Sequence, residues 1–283
     1  MRLDGIHHVT CITGDAPRNV EYYTGTLGLR LVKKSVNQDD PTVYHLFYAD
    51  EDGTPGSDIT FFEYPNAREG RAGAGMIHTV VWRVGSEEAL EFWRSRVGSV
   101  PFEDPDGLRH DLVVADVPDA PLIADHPEIP REMALQGFEG VRAYGEEPTA
   151  FLEALGFEDG LTRGDSRQGW IAYEQAPELP GVGGSGTVHH VAWACELGEE
   201  EAWIERVEAA GGRPTQVIDR FWFHSIYFRE PTGVLFEVAT KGPGFAADED
   251  PAHLGEALIL PPNFEHLREK VEPLLTPLPK TRG

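Results

Sequence analysis

The sequence predicts an α+β fold in which four βαβββ modules pair into curved mixed sheets within a two-domain chain. Three features of the 283 residues point there. A strand–turn–helix pattern recurs four times, strand-like runs follow each recurrence, and a segment rich in proline and acid interrupts the series midway.

The first copy is HHVTCITGDAPRNVEYYTGTLGL, with a turn at Gly14-Asp15 and an amphipathic helix closing on Leu27-Gly28. The second runs from His78 to Gly98, the third from Gly140 to Phe157, and the fourth from His189 to Gly212. After them come YHLFYAD and DITFFEY, then RHDLVVADV, then GWIAYEQ, then SIYFREP and GVLFEVA. Such strand sets cannot bury both faces alone, so modules should pair with their helices outside. The segment DVPDAPLIADHPEIPREMALQG reads as the inter-domain linker, giving domains 1–130 and 131–283. Beyond Phe245 the expectation is a loop and a short C-terminal helix. The run GVGGSG at 181–186 has no strand feeding it and no helix after it, so it reads as a flexible loop and not a phosphate cradle.

Hydrophobic residues at 40% and charged residues at 25% describe a globular chain, and no apolar run approaches the roughly 18 residues of a membrane span. The start, MRLDGIHHVT, enters a strand without a secretory pattern, so a cytoplasmic setting is expected. Cys11 and Cys195 sit in apolar runs and read as buried core thiols. A formal charge of −24 argues against nucleic acid or an anionic membrane as partner. Only Lys33, Lys34, Lys241, Lys270 and Lys280 are lysines among the 24 basic residues. An acidic, lysine-poor surface is expected of a protein adapted to high salt, whose thermal stability would rise with KCl.

His8 and His190 are each the second histidine of an HH pair opening a repeat strand. Neighbours on a strand face opposite ways, so one imidazole of each pair can face the concave side while the other supports it. Glu237 lies inside the apolar run Val234–Val238, where a carboxylate is costly unless paired or metal-bound. Two imidazoles and one carboxylate form the facial triad of non-haem Fe(II) oxygenases. A lone strand histidine is more often a core or edge residue; the duplication at equivalent positions is what sets these apart. His78 also opens a repeat but has no matching acid and reads as structural. His45, His110 and His126 carry no comparable signal.

The motifs HHVT, YHLFYAD, TVHHVAWA and FHSIYFREPTGVLFEVATKGPGF together resemble the vicinal-oxygen-chelate superfamily of glyoxalases, bleomycin-resistance proteins and extradiol dioxygenases. They are most similar to its ring-cleaving branch acting on hydroquinones. The resemblance spans nearly the whole chain. It implies a glyoxalase/dioxygenase-like fold, metal ligands at His8, His190 and Glu237, and supporting catalytic roles for His7, Thr10, His189, Arg220 and Tyr227. It implies Fe(II), with Mn(II) as the alternative ion, an aromatic substrate with O₂, and a homodimer as candidate assembly. His224 is a further candidate, and Phe221, Trp222 and Phe223 are candidate walls of an aromatic pocket.

Glu63 follows two phenylalanines much as Glu237 follows Leu235-Phe236. As a quasi-symmetric fourth ligand it would turn the site towards a glyoxalase-like lyase or isomerase using Ni²⁺ or Zn²⁺; the favoured alternative is an acid at the cup rim or a surface residue of an acidic protein. The expected activity is therefore Fe(II)-dependent ring cleavage of a hydroquinone or catechol-like phenol. A metal-free binding protein is the remaining alternative.

Overall fold

The computed structural model describes residues 1–281. The first module is β1 (Ile6–Thr13), α1 (Ala16–Val20), β2 (Arg30–Val36), β3 (Tyr44–Ala49) and β4 (Asp58–Glu63). Its helix continues as a wider π-turn over Glu21–Thr26, and Gly28, at φ +70°, ends it. The second comprises β5 (Met76–Val84), α2 (Glu87–Val97), β6 (Phe102–Glu103) and β7 (Arg109–Val114). Ser86 caps α2 by accepting from the Ala89 amide. The third is β8 (Phe138–Tyr144), α3 (Thr149–Leu155), β9 (Leu161–Arg163) and β10 (Gln168–Glu174). The fourth is β11 (Val188–Cys195), α4 (Glu200–Ala209), β12 (Ile218–Asp219), β13 (Phe223–Arg229) and β14 (Leu235–Pro243).

Modules one and four thus carry the full βαβββ plan, whereas two and three have only two strands after the helix. The chain after β7 and β10 turns to proline-rich segments whose missing amides cannot extend a ladder.

The modules pair outer with outer and inner with inner. One sheet has eight strands in the order β12-β13-β14-β11-β1-β4-β3-β2, and the other six in the order β6-β7-β5-β8-β10-β9. Each sheet therefore draws strands from both sides of residue 130. The predicted linker is well packed, with Ile123, Ile129, Ala134 and Leu135 buried in the main core. The glycine run 181–186 is docked rather than free, since Arg71 and Val182 form a two-way backbone bridge and Gly70 donates to Ser185. After Phe245 the chain makes short 3-10 turns and one helical turn, α5 (Arg268–Val271). No helix of the described residues is long and apolar enough to cross a membrane.

Alternation divides the eight-stranded sheet sharply. Val9, Cys11, Ile59, Phe61, Val191, Trp193, Phe236 and Val238 pack into the main core behind it. The concave face instead carries His8, Thr10, Thr60, His190, Ser225 and Glu237, all buried. Burying so many polar groups on one face is costly unless they bind each other or a ligand.

Candidate metal centre

The register explains why these residues meet. Across the central antiparallel pair, Thr10 opposes His190 and His8 opposes Ala192. On the parallel neighbour, Glu237 aligns with Ala192. Residues two apart share a face, so His8, His190 and Glu237 point into one cup. A register break at His7 bulges β1 and turns the His7 ring in beside its neighbour, where it packs 5.3 Å from the Phe223 ring.

The three ligand-type atoms lie within 4.8 Å of one another. His8 Nε2 is 3.3 Å from His190 Nε2 and 3.2 Å from Glu237 Oε2, and His190 Nε2 is 2.9 Å from the same oxygen. Donor atoms ~2.1 Å from an octahedral centre, occupying one face of it, would lie roughly 3.0 Å apart. The other carboxylate oxygen accepts from Ser225 Oγ, while Oε2 has no hydrogen-bond partner. Burial alone would raise the Glu237 carboxyl; the two imidazoles hold it well below the usual range, and burial keeps His190 low. A fully buried carboxylate oxygen facing two imidazole nitrogens fits a cation between them.

The flanking histidines fix the tautomers. His7 Nδ1 lies 2.9 Å from His8 Nδ1, and His7 Nε2 lies 3.0 Å from the Thr240 carbonyl. That carbonyl can only accept, so His7 carries its proton on Nε2 and accepts at Nδ1 from His8. The His8 Nε2 lone pair is thereby freed for a metal. His189 Nδ1 stands 2.7 Å from His190 Nδ1 and can do the same.

A cavity of about 370 Å³ opens on the cup, in the range of small-molecule sites. His8, Thr10, His189, His190, Arg220 and Tyr227 line it, with Phe47, Phe62, Trp222 and Phe223 as aromatic walls. Phe221 does not line it. At φ +75° it takes a left-handed conformation rare for a bulky residue, so that Arg220 and Trp222 on either side both reach the cavity. Arg220 lies 5.4 Å above the Tyr227 ring and 3.2 Å from Asp39. Burial and the Glu237 charge push the Tyr227 phenol well up, so it stays protonated.

Other candidates fall outside. His224 bonds Glu200 of α4 at 2.6 Å. His78 stacks on Tyr144 in the six-stranded sheet, 3.9 Å between centroids. Glu63 faces the helix side of β4, where it accepts from the Ala16 amide at the start of α1 and from Thr276, both at 3.1 Å. The register places Thr60, opposite Thr10, where Glu237 stands in the fourth module. Spacing from a phenylalanine left Glu63 ambiguous because it does not fix register, and the side chain lies neither at the cup rim nor on the surface but buried against the start of α1. Ser225, Thr60 and His45 are the cup residues the sequence did not single out; their signal is a polar residue on the alternating face of an apolar strand.

The Glyoxalase/Bleomycin resistance protein/Dioxygenase superfamily model matches residues 5–112 and 130–238. The chain belongs to this superfamily. A Bacillus subtilis protein named as a candidate ring-cleaving dioxygenase, MhqA, is 36% identical over 98% of this chain and 100% of its own. The chlorohydroquinone/hydroquinone 1,2-dioxygenase of Sphingobium indicum is 33% identical over 95% of both chains. A crystal structure of a candidate dioxygenase from Bacillus subtilis superposes with a TM-score of 0.88 at 36% identity, covering 99% of both. Maize glyoxalase I shares the fold, with a TM-score of 0.53 at 16% identity over 84% of this chain and 92% of its own.

Proposed function

We propose that this protein is a ring-cleaving dioxygenase that opens a hydroquinone or catechol-like ring with O₂. Its metal would be Fe(II), with Mn(II) as the alternative, held by His8, His190 and Glu237. The observation that carries the reading is the convergence of two imidazole nitrogens and one orphaned carboxylate oxygen beneath an aromatic-walled cavity. A ferrous ion bound there would supply adjacent open positions for a phenolate and O₂.

The chain's own groups supply the rest. Phe47, Phe62, Trp222 and Phe223 bury an aromatic ring and keep water from it. Arg220, always charged, stabilises negative charge on a ring oxygen, and Asp39 anchors it from the rim. Tyr227 donates from a phenol that stays protonated. When His189 accepts at Nδ1 from His190, its Nε2 carries a proton at the cavity wall and can pass it to substrate or solvent. His7 orients His8, and Thr10 offers a hydroxyl beside His190. The name of the Sphingobium indicum relative supports the substrate class.

The absence of Glu63 from the cup weighs against a four-ligand, glyoxalase-like centre. Iron-loaded protein given hydroquinones should consume O₂ one-for-one with loss of the aromatic absorbance. No O₂ uptake across a panel of hydroquinones and catechols would overturn the proposal.

A further inference from the structure

The segment that follows β14 backs one end of the cup, and a buried charge holds it there. Lys33 of β2 stands opposite Phe47 of β3 and is fully buried. An ammonium has three N–H donors, and this one segment takes all three: the Phe245 carbonyl at 3.1 Å, Asp248 Oδ1 at 2.8 Å, and Glu249 Oε2. Asp248 carries the hold onward, because Trp222 Nε1 donates to both of its carboxylate oxygens, each at 3.1 Å. Lys33 Nζ also lies 5.1 Å from the centre of the Trp222 ring.

Phe47 and Trp222 line the cavity, whereas Phe245 packs behind them, its ring 5.1 and 6.1 Å from theirs. All three rings belong to a small apolar cluster separate from the main core. This end of the cup is therefore a double wall, with an inner layer facing the cavity and an outer layer supplied by the chain after β14.

Two features tie the hold to the inner layer. Apolar side chains could close the outer layer at no greater cost than a buried ion cluster. What the charges add is direction, since the indole N–H aimed at Asp248 fixes the rotation of the Trp222 ring. Trp222 also follows Phe221 at φ +75°, a costly conformation that persists only where its neighbours over-determine it. The Asp248 contact and the Gly244 amide, which donates to the Trp222 carbonyl at 2.8 Å, are two such determinants.

We infer that Lys33, acting through Asp248, is a positioning residue that locks Trp222 as the end stop of the cavity and so limits the size of ring it admits. Once released, the indole can turn away from the cavity, which then lengthens towards Phe245. The inference rests on reading the cavity as an aromatic-ring site.

The test is calorimetric titration, without O₂, of iron-loaded protein with hydroquinone and with phenylhydroquinone, which carries a second ring. Lys33→Met, Asp248→Asn and Glu249→Gln made together remove all three charges at little change of volume and leave none of them buried without a partner. This triple variant should shift the ratio of the two dissociation constants towards phenylhydroquinone by on the order of tenfold, at unchanged iron content. Asp248→Asn alone, which keeps Lys33 paired with Glu249, should shift it the same way and decides the matter if the triple variant does not fold. In Trp222→Phe, which has no N–H to hold, adding Asp248→Asn should shift the ratio no further, whereas a general loosening of the fold would add to it. A ratio unmoved by Asp248→Asn, or a shift undiminished in the Trp222→Phe background, overturns the inference. If the ratio moves as expected but no ring opens under O₂, the dioxygenase reading fails while the end stop stands. Ring opening with the ratio unmoved fails the end stop alone, and a parent that binds neither phenol overturns both.

Discussion

Arg220 and Tyr227 both line the cavity but stand outside the cluster of His8, His190 and Glu237, and this separates their expected chemistry from that of the three. Arg220 is tied to Asp39 at the rim and stacked over Tyr227. Truncating either should leave iron binding intact and remove a donor aimed at developing charge. Arg220→Ala and Tyr227→Phe should therefore keep iron and lose on the order of 10²–10³ in turnover. Bound iron and steady-state rate on the same preparations check this; parent-like rates would remove both from the mechanism. The pairing of His8 with His190, and an acid in an apolar strand at Glu237, were visible in the sequence because equivalent repeat positions carried them. Thr60 and His45 were not, because their places in the cup depend on which residues of β1, β3 and β4 stand opposite one another. Glu63 was ambiguous for the same reason: one step of register moves a side chain to the other face of the sheet.

Among the elements, the π-turn that follows α1 and the second module are joined by a buried polar chain no sequence motif announces. Trp82 Nε1 donates to His110 Nδ1 at 3.1 Å, which leaves the His110 proton on Nε2, 2.9 Å from the Tyr23 hydroxyl. Tyr23 in turn donates to Asp104 at 2.9 Å. Burial lowers the His110 pKa from 6.5 to about 3. Between those values the unfolded chain binds a proton that the folded chain does not. The contribution of His110 is thus complete above pH 6.5 and is lost as pH falls towards 3, by up to about 1.4 kcal/mol per pH unit. Asp104, raised by burial to about 6, works in the opposite sense over part of this window, so the variant isolates His110. His110→Gln should cost about 1–3 kcal/mol at pH 7 and show a shallower acid slope in denaturant titrations from pH 7 to 5. An unchanged slope would show that His110 is not buried neutral. The helices were legible from their caps and periodicity, whereas the loss of a strand from modules two and three was not, since a two-residue strand such as β6 leaves no periodic signal.

At the scale of the whole molecule, the cup exists only because the two ends of the chain share a sheet. β1 supplies His8 and pairs antiparallel with β11, which supplies His190 and lies beside Glu237 on β14. The four-fold repeat was readable from the sequence, and ligands shared between its first and fourth copies already required those modules to meet, but the strand register was not readable, because hydrophobic alternation is alike in all of them. Residues 1–130 and 131–283 produced separately should each bind iron poorly, since each lacks ligands and leaves a central strand edge unpaired. Stoichiometric iron in the C-terminal half alone would contradict this assembly.

The central claim is that His8, His190 and Glu237 hold the metal. Iron content of protein loaded anaerobically and desalted, compared across His8→Ala, His190→Ala, Glu237→Ala and Glu63→Gln, tests it most directly. Each of the first three removes one of three protein ligands and should lose nearly all its iron, and Glu63→Gln, whose side chain serves the start of α1, should retain the parent's. Parent-level iron in Glu237→Ala, or loss of iron in Glu63→Gln, would contradict it.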